Sequence, residues 1–78
     1  MADTPAIRAR KATIARAVAH LRTAAPDTLA EQLATTTLHD RHDPDRLADR
    51  LASDSDGFTF ARWRAAKHVL AAAGLPTD

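Results

Sequence analysis

The chain has 78 residues, a formal net charge of +1, 45% hydrophobic residues, 4% aromatics and no cysteine. That length supports one small domain with little core to spare, and without cysteine neither disulfides nor a thiolate zinc site can reinforce it. No apolar run approaches the roughly 20 residues of a membrane span, and no continuous apolar segment of the secretory type opens the chain, so no membrane partner and a cytoplasmic location are expected.

The small net charge hides a division along the chain. Residues 1–25 carry a net of +4, residues 26–56 a net of −5, and residues 57–78 a net of +2. Basic end segments of this kind either meet a polyanion or attract the acidic middle, within the fold or between chains.

Residues 1–4 are expected to be disordered up to Thr4, which with Pro5 forms a cap followed by proline at the first helical position. Ile7, Ile14, Val18, Leu21 and Ala25 then fall within roughly 60° of one another at helical pitch, which predicts a first helix over 5–24 with one apolar face. Arg10, Lys11 and Arg22 are expected to flank that face, and Arg8 and Arg16 to lie behind it. Long basic side chains can simply cover a thin core, but they can also reach phosphates.

Pro26 ends this helix and starts the next. The segments PDTLAEQLAT (26–35) and PDRLADRLAS (44–53) share proline, an early acid, two leucines four apart and a closing hydroxyl. Each predicts a short amphipathic helix with its acids near the positive end of the dipole, the second capped by Asp43. The likeness arises from two equivalent helices or from one simple solution met twice. The helices are expected over 27–36, where three threonines discourage continuation, and over 44–53. Between them, the stretch from His39 to Asp45, with His39, His42, Asp40, Asp43 and Asp45, has a composition that could chelate a divalent ion, but its spacing, Arg41 and Pro44 favour an acidic surface loop and no metal.

Residues 54–59 carry turn chemistry, with Thr59 as the cap of a fourth helix over 60–73 and Phe58 as a candidate staple. Gly74, Leu75 and Pro76 stop it, and residues 76–78 are expected to be disordered. On this helix Trp63, Ala66, Val69, Leu70 and Ala73 share the apolar face, with Trp63 as a core anchor. Arg64, Lys67 and His68 are expected on the opposite side with Ala71, and Arg62 near the apolar edge.

The run from Leu47 to Leu75 joins an L-A-x-x-L-A helix, a turn, a threonine-capped basic helix and a terminal A-A-G-L. It resembles the two-helix core of a bacterial helix-turn-helix of the winged type, without its wing. The resemblance implies that Leu47, Leu51, Trp63 and Leu70 pack the helix pair while Arg62, Arg64, Lys67 and His68 face the major groove and phosphates of double-stranded DNA. Arg8, Arg10 and Lys11 would add phosphate contacts from the first helix.

No glycine-rich phosphate loop and no nucleophile beside a base in a recognisable frame is present, so no enzyme activity and no cofactor is expected. The expectation is thus an all-α domain of four helices spanning 1–78 that acts as a small DNA-binding or DNA-associated regulatory protein. The alternative is a helical module that binds a protein partner or forms a homodimer, which would help to bury its alanine-rich core.

Overall fold

The computed structural model describes residues 4–53 and 59–77. They form four α-helices and no strand: α1 (Pro5–Thr23), α2 (Pro26–Leu33), α3 (Pro44–Ala52) and α4 (Phe60–Ala72). All four stand where the sequence places them. Phe58 and the turn residues 54–58 lie outside the described residues.

The local chemistry explains the boundaries. Three helices begin with a side-chain cap: Thr4 Oγ1 accepts from the Ile7 amide at 3.2 Å, Asp43 Oδ1 from the Arg46 amide at 3.2 Å, and Thr59 Oγ1 from the Arg62 amide at 3.3 Å. Each satisfies one of the amides that a helix start leaves unpaired. Thr4 thus caps α1, as its place before Pro5 leads one to expect. Near the other end of the chain, Arg16 donates to the Pro76 carbonyl at 3.3 Å.

α2 starts one residue earlier than expected, with Pro26 in its first turn, and ends three residues sooner. The Thr36 amide and Oγ1 both bond the Leu33 carbonyl, at 3.1 and 2.9 Å, and close the helix there. α1, α3 and α4 each end one residue before their expected last position. α4 stops in a Schellman motif: Gly74 has φ +73°, its amide bonds the Ala71 carbonyl at 3.0 Å, and the Leu75 amide bonds the Leu70 carbonyl at 2.9 Å.

α1 lies at the centre, packing most extensively on α4 and next on α3. α3 also meets α4, and α2 packs on α4. The core is Ile14, Ala17 and Leu21 of α1, Leu29 and Leu33 of α2, Leu47, Ala48 and Leu51 of α3, and Ala66, Val69 and Leu70 of α4. Both leucines of each repeat are thus buried, as their spacing requires. The repeats do not form a mutual pair, because each attaches mainly to a different surface.

The buried face of α1 is turned by about 60° from the expected one, towards Thr13 and Ala17. Ile7 and Val18 are only half-buried, and Ala25 is exposed outside the helix. The cause is the small side chain of Ala17, which is fully buried and lets α1 approach α3 and α4 together. Thr13 tolerates burial because its hydroxyl donates to the Ala9 carbonyl at 3.0 Å.

Polar links hold the outer helices to α1. His20 Nε2 lies 2.8 Å from Gln32 Oε1, joining α1 to α2, and Arg22 Nη2 donates to Asp49 Oδ1 at 3.1 Å, joining α1 to α3. The radius of gyration of 12.0 Å is close to the roughly 11.5 Å of a compact chain of this length.

Candidate nucleic-acid interface

The docking of α1 on α4 brings together side chains that are 50 or more residues apart in the chain. The Arg10 guanidinium carbon lies 4.5 Å from the centre of the Trp63 ring and 5.0 Å from that of Phe60. Lys67 Nζ lies 4.4 Å from the Trp63 ring centre, and the two aromatic rings meet edge to face at 6.1 Å. A cation over an aromatic face is attracted by the ring quadrupole, so two positive groups here share one anchor instead of dispersing into solvent.

Helical spacing explains why these groups line up. Phe60, Trp63 and Lys67 sit at i, i+3 and i+7, one stripe along the flank of α4 that borders α1. The next stripe outward holds Arg64, His68 and Ala71, all exposed. Lys67 is therefore not across the helix from Trp63. It is one turn further along the same side, and Trp63 is a half-buried member of a surface cluster as well as a neighbour of the core.

The remaining candidate residues divide. Lys11 is half-buried on α1, one residue from Arg10, and Arg8 is exposed on the far side of that helix. Arg62 stands apart from Arg64, Lys67 and His68 by roughly 120° or more around α4. Its amide and its Nε both bond Thr59 Oγ1, and its side chain lines a groove between α3 and α4. The structure thus brings Arg10 and Lys67 together on Trp63, sets Arg64 and His68 on the neighbouring stripe of α4, leaves Lys11 about 100° round α1 from Arg10, and separates Arg62 and Arg8. Phe60 and the contact of Arg10 with Trp63 were missed in the sequence. The Phe60, Trp63, Lys67 spacing was visible there, but the approach of Arg10 depends on how α1 docks.

The loop between α2 and α3 is organised by a carboxylate. Asp40, at φ +63°, accepts from Arg50 at 3.3 Å and lies 3.8 Å from Arg46 Nε and 3.9 Å from His39 Nε2. Asp is among the few non-glycine residues that enter this left-handed conformation readily. Among the described residues no group of three or more His, Cys, Asp or Glu side chains converges on a common point, and no helix is long and apolar enough to cross a membrane.

No family model, curated protein or solved structure matches the chain.

Proposed function

We propose that this chain is a small non-enzymatic protein that binds or associates with DNA in a regulatory role, gripping the duplex through α4 and the first half of α1. The observation that carries the proposal is the convergence of Arg10 and Lys67 on Trp63, which converts two separate basic segments into one surface. Arg64 and His68 extend that surface outward along α4, and Lys11 extends it along α1. The helix-turn-helix resemblance of residues 47–75 points to the same assignment. In this reading the cations neutralise phosphates and release counterions, while the exposed stripe of α4 is offered to the groove. A cytoplasmic location belongs to the same proposal.

The test is titration of Trp63 fluorescence with duplex DNA at low and moderate salt. DNA that draws Arg10 and Lys67 towards phosphates changes the charge over the indole, so a saturable emission change that salt weakens is expected. Combined Arg64→Ala and Lys67→Ala substitutions should abolish the response. Binding unchanged in that variant would remove α4 from the assignment.

A second reading, a protein-interaction or self-assembling module, is favoured by Phe60 and Leu75, which remain 57% and 42% exposed. Sedimentation equilibrium separates the two. A monomer that responds to DNA supports the first, and a dimer indifferent to DNA and salt supports the second.

A further inference from the structure

On the flank of α4 away from Trp63, Ala61 and Ala65 line a groove together with Leu47 and Leu51 of α3 and with Leu38. It encloses about 130 Å³ and its walls are mainly apolar. An apolar space of that order admits a group about the size of benzene, so it suits one inserted aliphatic or aromatic side chain.

Two arginines stand at the rim of the groove, one from each helix. Among the described residues, the ionisable groups that line it are His39, Arg50 and Arg62. Both arginines are oriented by neighbours. Asp40 accepts from Nη1 of Arg50 at 3.3 Å, and Thr59 Oγ1 accepts from Nε of Arg62 at 3.2 Å. Each contact uses one of five guanidinium N–H donors and fixes the stem, so a carboxylate reaching the rim meets preplaced donors from both helices. Phosphate backbones offer no apolar side chain to fill the floor, and a lysine-bearing segment would be repelled at the rim.

We infer that the groove between α3 and α4 docks a short acidic segment of a partner protein, which inserts one apolar side chain between Leu47, Leu51 and Ala65 and places flanking carboxylates on Arg50 and Arg62. Apart from α4 itself, this surface shares no residue with the Arg10, Trp63 and Lys67 cluster. The inference stands whether or not that cluster binds DNA.

The experiment uses the full chain labelled with nitrogen-15 and a set of acetylated, amidated pentapeptides, Glu-Asp-X-Asp-Glu, in which X is Val, Leu, Ile, Met or Phe. At about 1 mM peptide, amide shifts confined to Leu47, Arg50, Leu51, Ala61, Arg62 and Ala65 are expected with at least one X. Serine at X should weaken them about tenfold, the scale of a lost buried methylene pair. Two variants locate the effect: Arg62→Glu reverses one rim charge, and Ala65→Leu fills the groove from inside. Each should remove the shifts while leaving the rest of the spectrum in place, which also verifies folding. The inference is overturned if no peptide gives localised shifts, if the serine peptide binds equally, or if the same amides shift with protein concentration alone. The last result would assign the groove to a second copy of this chain.

Discussion

Gly74 is the residue on which the end of α4 turns. Its φ of +73° is a conformation that a side chain disfavours, yet a Cβ built there would meet no atom within 4 Å. The cost of Gly74→Ala is therefore conformational and not steric, and should be about 1 kcal/mol in chemical denaturation, with the midpoint lowered and the slope unchanged. Arg41 poses the opposite case. Its Nε is buried and finds no hydrogen-bond partner among the described residues. Arg41→Met keeps the length of the stem and deletes that donor. The substitution should raise stability by about 1 kcal/mol, read as a higher denaturation midpoint, because removing an unsatisfied buried group recovers its desolvation cost.

At the scale of elements, the two repeats separate what a short motif encodes from what its surroundings decide. Pro26 and Pro44 each open a helix, and the leucines at 29, 33, 47 and 51 are all buried, so helix position and buried stripe were legible in ten residues. The helix they attach to was not, since α3 joins α1 and α4 while α2 joins α4, and nothing within the repeats distinguishes these surfaces. The caps differ too. Asp43 before Pro44 accepts from the Arg46 amide, whereas Ala25 before Pro26, extended at φ −63° and ψ 144°, has no side-chain bond to give. α2 is also the shortest helix, with eight residues. Its amides should therefore exchange fastest of the four helices in native-state hydrogen exchange. Ala25→Asp reproduces the Asp-Pro-Asp start of α3, should bond the Thr28 amide, and should add about 1 kcal/mol to global stability while slowing exchange within α2. Unchanged exchange would mean that tertiary contacts, and not its uncapped start, set the stability of α2.

At the scale of the whole molecule, the charge blocks read in the sequence acquire positions. The acidic middle pairs with cations of its own, through Asp40 with Arg46 and Arg50, and with the basic first segment, through Asp49 with Arg22. These exposed pairs hold orientation more than stability, since such contacts are each worth about 0–1 kcal/mol. Arg10 and Lys67 instead converge on Trp63. Periodicity assigned each base to a sector of its own helix, and it erred where a sector's neighbour is another helix: Arg10 was placed beside the apolar face but extends over the rings of α4, and Lys67 was placed away from Trp63 but covers it. The rotation of α1 towards Ala17 is the physical reason for the first error, because a fully buried alanine marks a close approach that a hydrophobicity pattern does not weight. If the proposed surface engages duplex DNA through Arg10, Lys11, Arg64 and Lys67, at most four phosphates are neutralised by these side chains. The logarithm of affinity should then fall with the logarithm of salt concentration with a slope no steeper than about −3.6, and Lys67→Gln should reduce that slope by about 0.9. Arg62→Gln should leave it unchanged, because Arg62 faces the α3 groove. Equal effects of the two substitutions in a fluorescence or filter-binding titration would show that the duplex contacts α4 from the α3 side, and the basic surface built on Trp63 would lose its assignment.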